Sequence, residues 1–454
     1  MSAALRICAH ALAALSRSMP NAAMPSAMPK RAFAIIFGVS VATALGNTGL
    51  ISVLPAIGRS IGIPDEMVVA VFSLSAILWA SASPFWARAS DRYGRKPLMM
   101  VGLSGFMVSM SICGLVVSAG LRHLAAPLVI FICFLLARAL FGLFGSASNP
   151  ATQAYVADHT PRARRTQSMA SLAGAFGLGT VVGPFLAPIF IYPVIGLAGP
   201  LFTFALIAAA MLIIVWRYLP ESTRSTEGAA DEPEPDAPAG KPAPMWRDRR
   251  VIPFLIYGFV VATCQTAQQQ TLGFLIIDKL AVSPLDAQRP IAVAMMFGAV
   301  AGLLAQWGII RMFEMTPRQL LRWGVACAAV GNLMVALAHD YSTVVAGYAM
   351  ASMGFGFARP GFTAGSSLAV GWKDQARVAG AIAAVNGINA VFAPAFMALY
   401  RAHHAAPFLL NMALMLGLLV YAFVNPGLRN ADPAPATRED TTIATLERSD
   451  EGGA

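Results

Sequence analysis

The chain is built around twelve runs of about 20 apolar residues, each long enough to carry a helix across about 30 Å of hydrocarbon. Hydrocarbon supplies no hydrogen-bond partners, so each run must satisfy its own backbone as a helix. Charge is too scarce for a soluble alternative: 12% of the 454 residues are charged and 57% are hydrophobic, whereas soluble domains carry about 25% charge. The runs predict helices at about 32–57, 67–89, 98–119, 126–157, 167–191, 197–219, 250–280, 290–312, 319–338, 342–370, 378–400 and 406–425. The expected fold class is an all-α membrane protein of twelve transmembrane helices.

A polar stretch divides these runs evenly. Residues 220–249 hold Glu227, Asp231, Glu232, Glu234, Asp236 and six prolines, a composition that favours a disordered linker. The expected organisation is a disordered tail over 1–30, a six-helix bundle over 31–219, the linker 220–249, a second six-helix bundle over 250–425 and a disordered tail over 426–454. The halves repeat. Ala173-Gly174-Ala175 and Ala187-Pro188 recur 206 positions later as Ala379-Gly380-Ala381 and Ala393-Pro394, and Asn149-Pro150 recurs as Arg359-Pro360. Paired repeats of this kind enclose a site near mid-depth.

Orientation follows from Lys and Arg, which accumulate in loops on the cytoplasmic side. Even-to-odd loops carry eighteen basic residues and the opposite loops five, namely Arg59, Arg122, Lys279, Arg289 and Arg401. Both termini and the linker are therefore expected in the cytoplasm, with the chain in a bacterial-type inner membrane. The net charge of +10 is explained by those loops and implies no nucleic-acid partner. The five cysteines have no metal-ligand spacing and an odd count, so neither a metal site nor a disulfide framework is expected, and no cofactor.

The loop between the second and third runs reads Ala87-Arg88-Ala89-Ser90-Asp91-Arg92-Tyr93-Gly94-Arg95-Lys96-Pro97. An acid at a helix end, a glycine for a tight turn and a basic cluster make a network of charge-assisted hydrogen bonds possible. Here the chain resembles the major facilitator superfamily, whose loop signature is G-x-x-x-D-R-x-G-R-R/K; Ala87 stands where the family has its leading glycine. Arg138-x-x-x-Gly142 is similar to a fourth-helix motif of that family. Gly174, eight residues, then Gly183-Pro184 resembles the antiporter motif of its drug-exporting branch, although Ala187 and Pro188 replace two later glycines. Tyr155-Val156-Ala157-Asp158 is similar to drug and tetracycline exporters. The resemblance spans about 30–425 and implies two six-helix bundles and export of small amphipathic molecules by a monomer coupled to protons. It gives Asp91, Arg92, Gly94, Arg95 and Lys96 a gating role. Gly174, Gly183 and Pro184 would shape the packing of the fifth helix against the other bundle.

Polar groups within the runs are costly and usually face the bundle interior. Arg138 and Arg359 are the mid-run charges. Arg138 has two readings, a structural pair with a carbonyl or ion, or a cavity cation that faces an anionic cargo group or assists proton movement; Arg359 is either such a cavity cation or reaches the cytoplasmic side. Gln265, Gln268 and Gln269 share one helical face, as do Asn386 and Asn389, while Asn47 and Thr48 lie at mid-depth of the first run. Each alone serves equally well as interhelical glue. Together, Asn47, Arg138, Gln265, Gln269, Arg359 and Asn386 are the expected substrate contacts. A proton carrier needs a group whose proton affinity changes between states. Every Asp and Glu lies in a loop, a tail or at the end of a run: the best placed are Asp278 at the outer end of the seventh, Asp158 and Asp91. Asp278 is the candidate for proton coupling. An importer or facilitated carrier of an organic anion is the alternative. No arrangement of His, Asp, Ser or Cys at shared depth supports an enzyme.

Overall fold

The computed structural model describes residues 30–160, 162–221, 245–370, 374–429 and 431. The expected tails and most of the expected linker lie outside them. Among the described residues twelve long helices follow one another: α1 Lys30–Ile61, α2 Asp65–Tyr93, α3 Arg95–Leu121, α4 Pro127–Asp158, α5 Arg162–Leu186, α6 Gly199–Tyr218, α7 Ile252–Leu280, α8 Gln288–Met312, α9 Pro317–Leu337, α10 Tyr341–Leu368, α11 Arg377–Ala402 and α12 Ala406–Val424. Ten are long and apolar enough to cross a membrane by themselves. The two that are not, α7 and α10, carry the glutamine cluster and a Gly-, Ser- and Arg-containing run. Both are shielded by neighbours along much of their length, with Tyr257, Phe274, Phe355 and Phe362 fully buried, so other helices rather than lipid surround them.

Two short elements extend order beyond the expected bundles. Met245–Arg247 forms a 3-10 turn inside the expected linker, and Met245 is buried beside Val251, Leu255 and Val378. Pro426–Arg429 adds a helical turn after α12, where Leu428 packs with Phe254 and Tyr257. In both cases an apolar residue found a cover that local composition does not reveal.

Local chemistry sets the helix ends. Proline opens α4, α6, α7, α9 and α12 within the first two positions, where its missing N–H leaves no hydrogen bond unmade. Thr316 and Gln319 form a reciprocal capping box at α9. Asp340 caps α10 by accepting from the Thr343 backbone; hydrogen bonds from Ser342 and Thr343 hold its carboxyl well below the usual carboxylate range. α5 runs into a 3-10 turn at Ala187–Phe190, and α11 contains one at Asn389–Phe392, directly before Ala393-Pro394. The repeated Ala-Pro pair thus marks the same backbone irregularity in both halves, because proline cannot continue the ladder of hydrogen bonds.

Where helices meet most closely, glycine replaces a side chain. A Cβ on Gly179 would stand 2.5 Å from the Val41 carbonyl, and one on Gly183 2.3 Å from the Leu45 carbonyl, so α5 lies directly on α1. α9 and α10 pack in the same way through Gly324, Gly331, Gly347 and Gly354, the small-residue contact that serves membrane helices in place of a hydrophobic drive. A Cβ on Gly354 would lie 2.4 Å from the Ala328 nitrogen. Gly354→Leu is therefore expected to destabilise the second half by about 1–3 kcal/mol. A lower melting temperature of the purified protein in detergent would show it, and an unchanged one would contradict this packing.

Candidate functional site

Three layers of polar groups follow the helix axes. The first joins the halves at the end of α1. Arg59, in the last turn of α1, donates through Nη1 and Nη2 to the two oxygens of Asp278 near the end of α7, the Nη2 bond being 3.0 Å. The same guanidinium donates to Asp65 at the start of α2, 2.9 Å from Nη2 and 3.3 Å from Nε. Tyr400 of α11 donates its hydroxyl to Asp278, and His404 lies 3.8 Å from the same carboxylate. The Arg59 guanidinium is 5.3 Å from the Phe274 ring centre. Beside it Arg401 of α11 reaches both oxygens of Glu66 of α2 at 2.9 Å. Just below, the Ser73 hydroxyl donates to the Ala390 carbonyl at 2.7 Å, and a Cβ on Gly273 would stand 2.6 Å from Pro55. The contacts of Arg59 with Asp278 and Phe274, Arg401 with Glu66, Ser73 with Ala390 and Gly273 with Pro55 all link the first six helices to the last six.

The second layer is the loop motif at the opposite end. Gly94 ends α2 with φ of +97°, a conformation that favours glycine. Arg95 donates to Asp91 at 2.6 Å, to Asp158 at the end of α4 at 3.0 Å and to the Ser90 hydroxyl at 3.2 Å. All of these partners belong to the first half. Among the described residues Arg92 and Lys96 carry no ion pair; the Arg92 guanidinium lies 5.4 Å from the Tyr93 ring centre. At this end a Cβ on Gly387 of α11 would lie 3.6 Å from Ala80 of α2, and a Cβ on Gly380 would meet nothing within 4 Å.

Between these ends lies the third layer. Arg138 of α4 is 1% exposed. Its Nη2 donates to the Asn47 side chain of α1 at 2.9 Å, while Nε and Nη1 have no partner. Its guanidinium stands 4.6 Å from the Phe141 ring centre and 5.3 Å from that of Phe72. The result is a buried cation held by one neutral amide and two aromatic faces. Gln265 and Gln269 of α7 are half-buried, as are Asn47 and Asn386. Gln268, on the same helical face, is buried with an unpartnered Oε1. Thr266 donates to Asn389 at 2.7 Å, tying α7 to α11 at mid-depth. Arg359 of α10 is exposed.

The structure thus brings Asn47 and Arg138 together and separates Arg359 from them. It divides the fifth-helix motif. A Cβ on Gly174 would stand 3.4 Å from Trp307 of α8 in the other half, whereas Gly183 lies on Leu45, Thr48 and Gly49 of α1 in its own half, and Pro184 follows it as a buried residue. The expectation that all three shape the packing between bundles is therefore corrected for Gly183: its missing side chain serves a backbone contact within the first half. Sequence reasoning missed Arg59, Asp65, Tyr400 and Arg401. Arg59 and Arg401 counted only as orientation charges, although Arg59 and Asp278 end the first helix of each half and so share a depth.

Residues 36–394 match the sequence profile of the Major Facilitator Superfamily. Multidrug resistance protein 2 of Bacillus subtilis (strain 168) is 23% identical over 379 residues, covering 81% of this chain and 88% of that protein. The class C tetracycline resistance protein of Escherichia coli is 23% identical over 430 residues, covering 89% and 98%. Among solved structures, a bacterial homologue of the human lysosomal transporter Spinster shares the fold with a TM-score of 0.68 at 13% identity, over 89% of this chain and 98% of that one. The human organic anion transporter MFSD10 gives a TM-score of 0.60 at 19% identity, over 87% and 100%. With the paired six-helix halves, the loop motif and this match over most of its length, the chain is a multi-pass membrane protein of the Major Facilitator Superfamily.

Proposed function

We propose that this protein exports small, amphipathic, drug-like molecules across a bacterial inner membrane, as a monomer with both termini in the cytoplasm. The observation that carries this reading is the asymmetry of the two ends. Charged groups bind the halves to each other at the Arg59 end, while the loop motif at the Arg95 end bonds only within its own half. Charge pairs across the pseudo-symmetry axis at one end and none from the loop motif at the other fit a resting point of an alternating-access cycle, in which the halves rock about a fixed central site. Asn47, Arg138, Gln265, Gln269, Arg359 and Asn386 are the proposed cargo contacts. Multidrug and tetracycline resistance proteins among the relatives support export.

Coupling to protons is part of the proposal, with Asp278 as its titrating group. Every Asp and Glu among the described residues lies in a loop or near a helix end. Asp278 and Glu66 both bridge the halves; Asp278 is the less exposed of the two, and protonation would remove its charge–charge attraction to Arg59. In the parted state the loop motif would form the opposite gate. Asp91→Asn should then lower drug tolerance of over-expressing cells by about tenfold, equivalent to about 1.4 kcal/mol, with normal amounts of protein in the membrane. Unaltered tolerance would remove Asp91 from the gate.

A second reading has its own support. Arg138 and Arg359 are cations within the helices with no carboxylate at their depth, and one structural relative is an organic anion transporter. This favours an importer or facilitated carrier of an organic anion. Reversing the pH gradient across proteoliposomes separates the two, because only the proton-coupled exporter reverses its flux with the gradient.

A further inference from the structure

A histidine waits beside the carboxylate that joins the halves. Asp278 Oδ2 accepts from Arg59 Nη2 at 3.0 Å and from the Tyr400 hydroxyl, while Oδ1 accepts from Arg59 Nη1. A carboxylate oxygen offers about two lone-pair sites, so Oδ2 is filled. His404 Nε2 stands 3.8 Å from the same oxygen, beyond hydrogen-bond distance. Its ring stacks on that of Tyr400, four residues earlier, with centroids 4.8 Å and planes 12° apart. The stack keeps the imidazole next to Asp278. The His404 side chain is 57% exposed, so it exchanges protons with water at this end. Histidine is the side chain whose ordinary titration falls between pH 5 and 8.

The neighbouring charges decide which bond yields when the imidazole becomes a cation. Arg401 and Glu66 satisfy each other, Lys279 donates to the Ala338 carbonyl, and His403 Nδ1 accepts from the Ala405 backbone at 3.3 Å. Tyr400 lies in the same half as Asp278. Arg59 alone comes from the other half, and it has a second carboxylate there, Asp65 at 2.9 Å from Nη2.

We propose that His404 receives a proton from the medium at this end and, once charged, takes the Asp278 oxygen from Arg59. One bond between the halves is thereby exchanged for bonds within them: Arg59 rests on Asp65, and Asp278 on His404 and Tyr400. The imidazolium and the guanidinium also repel each other. The open form therefore binds the proton more tightly than the closed form. Its population rises as pH falls through the histidine range and declines as pH rises. The switch acts on Asp278 without protonating it. It rests on the reading that this end parts during transport, and it is independent of the cargo.

The test is the distance between spin labels at the exposed residues Leu124 and Val282 of the purified full-length protein. From about pH 8 to about pH 5.5, which spans the histidine range, the ratio of open to closed forms should rise about two- to fivefold, the worth of one partly screened charge pair. His404→Gln should hold the high-pH distribution at both values. His404→Lys, charged throughout, should hold the more open one. His403→Gln should respond as the unaltered protein does. No response to pH, a response that survives His404→Gln, or a His404→Lys distribution like that of the unaltered protein at high pH would overturn the proposal. Asp278→Asn separates the two ways of failing. If it lengthens the distance while pH does not, only the His404 switch falls; if nothing lengthens it, the reading that this end parts falls as well.

Discussion

Asp278→Asn is expected to open the Arg59 end of the molecule. In the intact protein the Asp278 carboxylate accepts from Arg59 in the first half and from Tyr400 in the second. Its side chain is 22% exposed, so water screens it only in part. An amide keeps the shape and one acceptor oxygen but loses the charge. Arg59 retains Asp65 and is not stranded, so the loss falls on the contact between halves rather than on the stability of α1. A charged hydrogen-bonded pair of this kind contributes about 1–3 kcal/mol, which shifts the balance between closed and open forms by about 5- to 150-fold. Spin labels at the exposed residues Leu124 and Val282, on loops of the two halves at this end, should report a longer separation in Asp278→Asn. Asp278→Glu should restore part of the closed population. An unchanged distance distribution would show that the helix contacts around Pro55 and Gly273 hold this end closed without the charges.

Arg138→Met is expected to separate transport from stability. Arg138 is the largest fully buried polar side chain among the described residues, and it has no carboxylate partner. Burying a guanidinium without a counter-ion is costly, and replacing buried ionic groups by apolar ones of similar size is often neutral or stabilising. Methionine fills most of the same volume between Phe72 and Phe141 without that cost. The melting temperature in detergent should therefore hold or rise. Transport should fall about 100-fold, equivalent to about 2.7 kcal/mol, if the cation serves cargo or coupling. Arg138→Lys keeps the charge but loses the planar stack and the reach to Asn47, and should fall between the two. Full transport by Arg138→Met would make the residue a packing element and would favour a route through Arg359 and the α7 glutamines.

These two sites also show which inferences were available in advance. Arg138 and Asn47 stood out because each interrupts an apolar run, yet their bond to each other depends on how α1 and α4 are rotated. That rotation is fixed partly by Gly179 and Gly183 against the backbone of α1. The glutamines divided for the same reason: a shared helical face placed Gln265, Gln268 and Gln269 together, but the neighbours of α7 cover Gln268 and leave the other two half-open. Arg59, Asp65, Glu66, Tyr400 and Arg401 were unremarkable in sequence because charges and tyrosines at helix ends are ordinary in membrane proteins. Their meeting requires helices from both halves to end at one depth and on facing sides.

Solvation along the chain was enough to set the helices across lipid, their order and the turn at Gly94. Transfer free energy and backbone conformation are properties of a few neighbouring residues, and they add up locally. Which polar groups are enclosed, which half Gly183 packs against and which end carries charge pairs between the halves were settled only when the helices came together. Those outcomes depend on the rotation and contact of rods drawn from positions as far apart as Arg59 and Asp278, and the free energy of such a contact belongs to the pair and to neither segment alone.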